Sequence, residues 1–401
     1  MEVLQDTYKD TKIGIIPKDW SISKLGEITS LIKDGTHGTH KDFDGGIPLL
    51  SAKDIRNGIV SIPDDCRKIS SEDYHKIHKN FRLQNDDILL TVVGSIGRVA
   101  ILRGYNSDFT FQRSVAYIRL KRETLPGFYA QFFQANEFNK QLIMRSNASA
   151  QAGVYLGQLS KIPVPMPPLP EQQKIAEILS TVDEQISTTD KIIEKSKELK
   201  KGLMQKLFSE GIGHTEFKDT KIGRIPKNWD VMMLNEITNY KSSNLSLNKL
   251  EENTGKYKLY GASGMRKGID FYQTDKESFA IVKDGSGFGN LLWCDKNSSI
   301  LGTLGRITNK EISDLKFCFY LTHTIKFKRY MSGSTIPHLY YKDYGNIKLP
   351  VPPLPEQQKI AAILSEVDAK IEKEQTQKAQ LEALKKGLMQ QLLTGKKRVK
   401  V

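Results

Sequence analysis

The run Pro167-Pro-Leu-Pro-Glu-Gln-Gln-Lys-Ile-Ala-Glu-Ile-Leu-Ser-Thr-Val-Asp183 returns as Pro352-Pro-Leu-Pro-Glu-Gln-Gln-Lys-Ile-Ala-Ala-Ile-Leu-Ser-Glu-Val-Asp368. Only Glu177/Ala362 and Thr181/Glu366 differ. A repeat this close constrains the fold before any other feature does. Each copy reads as a helix start. Pro170 and Pro355 suit the first helical position, where a missing N–H costs nothing. Glu171 and Glu356 put negative charge into the first turn, which the helix dipole favours.

Apolar residues then recur at Ile175, Leu179, Val182, Ile186, Ile193, Leu199, Leu203 and Leu207. The second copy has Ile360, Leu364, Val367, Ile371, Leu381, Leu384, Leu388 and Leu392. The opening 4-3-4 spacing is a heptad seam. Its middle is polar, with Thr189 and Ser196 in one helix and Glu374 and Lys378 in the other. Gly211 and Gly395 read as C-terminal stops, with Lys200, Lys201, Lys206, Lys385 and Lys386 ahead of them. The span 170–209 allows roughly 60 Å of helix. Neither stripe is wide enough to hold a helix alone in water, so the two are expected to pair as an antiparallel coiled coil.

A second repeat frames the first. Tyr8-Lys-Asp-Thr-Lys-Ile-Gly-Ile-Ile-Pro-Lys-Asp-Trp20 matches Phe217-Lys-Asp-Thr-Lys-Ile-Gly-Arg-Ile-Pro-Lys-Asn-Trp229. The regions between frame and helix have little in common. One scaffold carrying two different recognition heads is the economical reading. It divides the chain into 1–167 (first head), 168–210 (first long helix), 211–352 (second head) and 353–401 (second long helix). The fold class is α+β, with two mixed α/β heads separated by the helix pair about a pseudo-twofold.

In the first head, strands are expected at 46–51, 87–93, 98–102 and 115–120, and a helix over 127–144. In the second, strands are expected at 258–260, 279–283 and 290–294, with a helical stretch near 315–330. Both heads have a glycine turn after a strand, Gly94-Ser-Ile-Gly97 and Gly285-Ser-Gly-Phe-Gly289.

Together, the doubled Pro-Leu-Pro-Glu-Gln-Gln-Lys-Ile-Ala helix start, the doubled Ile-Pro-Lys-x-Trp entry and Asp34-Gly-Thr-His37 resemble the specificity subunit of a Type I restriction–modification enzyme, across essentially the whole chain. The resemblance implies two target-recognition domains, each reading one half of a bipartite double-stranded DNA target around an unread spacer. It implies docking to two DNA-adenine methyltransferase subunits and to an ATP-dependent restriction subunit. S-adenosylmethionine is then expected in the methyltransferase partner, with no cofactor or metal bound by this chain, in a bacterial or archaeal cytoplasm.

The residues agree with that expectation. Lysine and arginine number 60 against 46 acids, a net charge of +14, which favours a polyanionic partner. No Asn-Pro-Pro-aromatic run and no Gly-x-x-x-x-Gly-Lys-Ser/Thr loop is present. His37-x-x-His40 and His75-x-x-His78 lack a Cys or carboxylate cluster to complete a metal site. No membrane span and no secretion signal is expected. The rival readings are a protein-only coiled-coil adaptor and a DNA-modifying enzyme with an unfamiliar motif.

For DNA contact, the candidates are side chains able to pair with base edges or phosphates, those of the first head standing on or near expected loops. In the first head these are Lys33, Thr36, His37, Lys41, Lys53, Arg98, Arg113 and Gln151. In the second they are Ser263, Arg266, Lys267, Lys283, Arg306, Ser334, His338 and Tyr340.

Overall fold

The computed structural model describes residues 7–56, 58–105, 107–146, 153–285, 287–333 and 337–400. These form two compact units. One comprises 1–189 with 377–401, the other 190–376. Both divisions fall inside the long helices, Leu169–Ser209 and Leu354–Leu392. Each unit therefore holds one head, the start of one long helix and the end of the other.

The first head is built on a four-stranded antiparallel sheet in the order Val99–Ile101, Ile88–Thr91, Val115–Leu120, Thr29–Asp34. The second has Leu291–Cys294, Ser278–Val282, Leu304–Asn309, Thr238–Ser242 in the same order. Each adds a three-stranded sheet with one parallel pairing. In the first head Thr110–Phe111 lies parallel to Ile47–Leu50, and in the second Ser298–Ile300 lies parallel to Tyr257–Gly261. Two dissimilar sequences thus take one topology. The strand Ile88–Thr91 and the strand Ser278–Val282 are buried at every position, which is why both read as unbroken apolar runs rather than alternating ones.

One face of each sheet meets helices. Ile88, Leu90 and Ile118 pack with Phe128, Phe133, Ile175, Leu179 and Leu392. Phe279, Ile281 and Ile307 pack with Phe317, Leu321, Ile360, Leu364 and Leu207. The opposite faces carry smaller clusters, Leu89 and Tyr117 with Phe111 in one head and Ala280 and Leu304 with Tyr260 in the other. The helix expected over 127–144 is two helices, Pro126–Gln134 and Asn136–Met144, because Ala135 takes an extended conformation (φ −68°, ψ 150°).

The expected seam needs one correction in each long helix. Leu199 and Leu384 are 56% and 50% exposed. The three-four spacing runs instead through Lys200 and Lys385, one residue further on. Lys200 Nζ lies 2.6 Å from Asp368 Oδ1, and Lys385 Nζ lies 2.7 Å from Asp183 Oδ1. Those aspartates close the repeated run. Each also accepts from its own head, Asp183 from Gln131 Nε2 and Asp368 from the Tyr320 hydroxyl, both at 2.7 Å. Within each unit the two helix segments run in opposite directions. Asp183 faces Lys385 while Glu171 faces Arg398, and Lys200 faces Asp368 while His214 faces Glu356.

Candidate nucleic-acid interface

The two repeats meet in space. Trp20 is fully buried and its indole N–H donates to Glu171 Oε2 at 2.9 Å; Trp229 donates to Glu356 Oε2 at 3.0 Å. The following glutamine anchors the head's helix. Gln172 Oε1 accepts from Leu125 N and Gln357 Oε1 accepts from Asp314 N, both at 2.9 Å. Each of those N–H groups lies at the entry to the head's helix. Gly211 and Gly395 take positive φ, 66° and 69°. A side chain on Gly211 would strike Trp229 and Glu356, and one on Gly395 would strike Pro17 and Trp20. The repeats are therefore mounting hardware that seats each head on the helices.

At one end of each sheet the strand-ending loops are tied together by main-chain hydrogen bonds that correspond between heads. Gln112 N donates to Leu50 O at 2.8 Å, as Leu301 N does to Tyr260 O at 2.9 Å. Arg113 N donates to Thr36 O at 3.0 Å, as Gly302 N does to Leu245 O at 2.7 Å. Val92 N donates to Ser114 O, and Lys283 N to Thr303 O. Both glycine turns close identically, Gly97 N to Thr91 O at 2.9 Å and Gly289 N to Val282 O at 2.8 Å. Because the frame is main chain, it constrains side chains little. Arg113 corresponds to Gly302, and Arg98 to Asn290.

On the first head's frame the structure brings together Thr36, His37, Lys53, Arg98 and Arg113. Arg98 and Arg113 are exposed, and Arg98 Nη1 donates to Ala52 O at 3.2 Å, beside exposed Lys53. Asp34 Oδ2 lies 2.6 Å from His37 Nε2, and Thr36 Oγ1 lies 2.7 Å from His40 Nε2. These bonds hold the Asp-Gly-Thr-His turn in shape. Gly35 is required there, since a Cβ would strike the Phe111 and Gln112 carbonyl oxygens. Lys41 is exposed. Lys33 is half-buried with its ammonium 4.1 Å from the Phe81 ring centre. Arg56, which the sequence reading passed over, lines a cavity of about 480 Å³ with Arg98. Its nearness to Arg98 depends on the short pairing of Ile55–Arg56 with Ile59–Val60, which has no strong sequence signal.

In the second head Ser263 occupies the tight turn between Tyr257–Gly261 and Gly264–Ile269, so Arg266 and Lys267 are already strand residues. Arg266 is exposed and donates to Ser263 Oγ at 2.9 Å. Lys267 is turned to its own head, donating to Leu250 O at 2.7 Å and Glu251 O at 3.0 Å. Lys283 and His338 both bond Asp284, at 2.8 and 2.7 Å, and the His338 ring stacks on exposed Tyr340. Burial pushes the Asp284 carboxyl up, but the bonds from Lys283 and His338 outweigh it and hold the group below the usual carboxylate range. Arg306 is a central-sheet residue, 5% exposed. Gln151 and Ser334 lie outside the described residues.

The protein-family model for the Type I restriction modification DNA specificity domain matches twice, over residues 17–198 and 226–383. The chain belongs to this family. A putative specificity subunit of the type I restriction enzyme MjaX from Methanocaldococcus jannaschii is 30% identical, covering 99% of this chain and 98% of the relative. The MjaVIII specificity subunit of the same organism is 29% identical, covering 99% and 97%. The crystal structure of an S subunit from M. genitalium shares the fold, with a TM-score of 0.65 at 20% identity over 93% of this chain and 96% of that one. Each match spans most of one head and the first part of the long helix that follows it. As a member of the specificity family, the chain is a DNA-recognition subunit and is not itself an enzyme. Among the described residues no helix is long and apolar enough to cross a membrane.

Proposed function

We propose that each head reads one half of a bipartite, gapped DNA target, through the side chains mounted on its loop frame. The observation that carries this reading is the matched set of main-chain bonds under unmatched side chains, Thr36, Arg98 and Arg113 against Leu245, Asn290 and Gly302. One mode of presentation with two different surfaces suits two different half-sites. Exposed Arg113 and Arg266 supply the donors that guanine edges accept, and exposed Lys41 and Lys53 supply phosphate contacts.

The long helices form an antiparallel coiled coil in this reading. Its length sets the spacer, and its exposed flanks dock two DNA-adenine methyltransferase subunits. S-adenosylmethionine belongs to those partners, and an ATP-dependent restriction subunit joins the same assembly, in the cytoplasm. The polar seam supports the pairing. Lys200–Asp368 and Lys385–Asp183 are oriented contacts, and a shifted register would leave them unmatched.

Co-expressing the chain with its methyltransferase subunit and mapping methylated adenines across a genome tests the reading. It expects one gapped motif with a methylated adenine in each half. A stable complex that methylates a single ungapped motif would refute it.

A further inference from the structure

The second head contains a polar cavity of about 720 Å³. It lies on the sheet face turned away from the long helices. Cross-strand partners share a face, so Asn239 and Thr308, and Lys241 and Arg306, stand together there. All four line the cavity, and among the described residues no aspartate or glutamate does.

Arg306 is its unusual member. Although 5% exposed, it is bonded only to neutral groups, Nη1 to Ser278 Oγ at 2.7 Å and Nη2 to Ser298 O at 3.1 Å. A guanidinium has five N–H donors and stays charged in proteins. Among the described residues no carboxylate pairs with it. The first head treats its partly buried arginine differently, giving Arg119 the Asp87 carboxylate at 2.7 Å. A buried cation without a counter-ion is costly, and this one borders an accessible space.

The fold does not demand the cavity. By strand register Arg306 corresponds to Tyr117, and Lys241 to Lys33. There the Tyr117 ring packs near Phe81 and Phe111, and Lys33 lies over Phe81. One head fills the position with aromatic rings, and the other leaves room and lines it with donors.

We propose that this cavity is a phosphate-binding site, in which Arg306 and Lys241 supply the positive charge and Thr308 and Asn239 further donors. Its volume exceeds that of a phosphate ion, so the group arrives as part of something nucleotide-sized. Two sources share that chemistry, the backbone of bound duplex and a free mononucleotide. The first rests on the DNA-reading role proposed above, and the second does not.

Calorimetric titration of the full chain with inorganic phosphate and with dAMP tests the site. Duplex binding by the methyltransferase complex across a salt series tests the source. Arg306→Gln removes the cation, and Thr308→Glu leaves it but supplies the missing anion from within. The expected result is saturable one-site binding of a phosphate probe, weakened at least tenfold in both variants, or a duplex salt slope lowered by about 0.9 in both. Tenfold preference for dAMP over phosphate with an unchanged slope identifies a free nucleotide; a lowered slope identifies the backbone. No saturable binding of either probe, together with identical slopes for the wild type and Thr308→Glu, overturns the proposal. If Arg306→Gln does not fold, Thr308→Glu decides alone. Loss of the gapped methylation motif with phosphate binding intact would count against the DNA reading and not against this site.

Discussion

The indole nitrogen of Trp20 stands 2.9 Å from Glu171 Oε2, and that of Trp229 stands 3.0 Å from Glu356 Oε2. This contact joins the two repeats of the chain, so their joint recurrence has a physical cause. The second oxygen of each carboxylate is held differently. Arg398 donates to Glu171, while Ile212 N and His214 attend Glu356. The C-terminal tail therefore does for the first head what the linker after the first long helix does for the second.

Trp20→Phe keeps an aromatic ring but removes part of the buried bulk and, with it, the N–H donor to a carboxylate that is 1% exposed. The expected loss is about 1–3 kcal/mol, the cost of leaving a buried acceptor short of a partner. Urea unfolding monitored in the first unit measures it. An unchanged midpoint would mean that Arg398 alone holds Glu171.

The seam lysines give a second expectation. Lys385→Ala strands Asp183 between helix and head, at a cost of about 1–2 kcal/mol for a half-buried pair, between exposed and fully buried cases. Replacing Lys385 and Asp183 together by alanine removes the stranded charge as well, so the double variant should lose less than the two single alanine variants added. A double-mutant cycle by thermal unfolding checks this, and strict additivity would show that the pair contributes nothing.

Buried His78 predicts the acid side of the stability profile. Burial pushes its pKa below the ordinary histidine value, outweighing the carbonyl bond from Phe81 that acts the other way. A depressed folded pKa means the unfolded chain takes up the proton first. Stability is full above about pH 6.5, the unfolded value, and falls as pH drops from there toward the folded pKa. His78→Asn should flatten that decline, read as unfolding midpoints between pH 7 and pH 5.

Gly35→Ala tests the loop frame. The added methyl would collide with the Phe111 and Gln112 carbonyl oxygens, forcing the Asp34–His37 turn off the sheet end. Methylation mapping should then show relaxed recognition in one half-site and an intact second half. Recognition unchanged in both halves would remove this turn from the reading surface.

The scaffold was legible in the sequence and much of the surface was not, for a physical reason. The mounting contacts use specific side chains at fixed positions, so Trp20, Glu171 and their second copies repeat visibly. The loop frames use main-chain groups, which any residue supplies, so Thr36 and Leu245 hold equivalent places without resembling one another. Strands such as Ile88–Thr91 announced themselves by unbroken apolar runs. The break at Ala135 and the burial of Arg306 depend on tertiary packing that no local pattern encodes. Hydrophobicity alone points to Leu199 as the seam residue, whereas strict heptad spacing leads to Lys200.

The central claim, two independent readers on one scaffold, is met most directly by mapping methylated adenines for the complex carrying Arg113→Ala beside the same complex carrying Arg266→Ala. The account predicts that each substitution relaxes one half-site, a different half for each, with the other half and the spacer unchanged. Equal loss at both half-sites, or the same half affected by both substitutions, would contradict it.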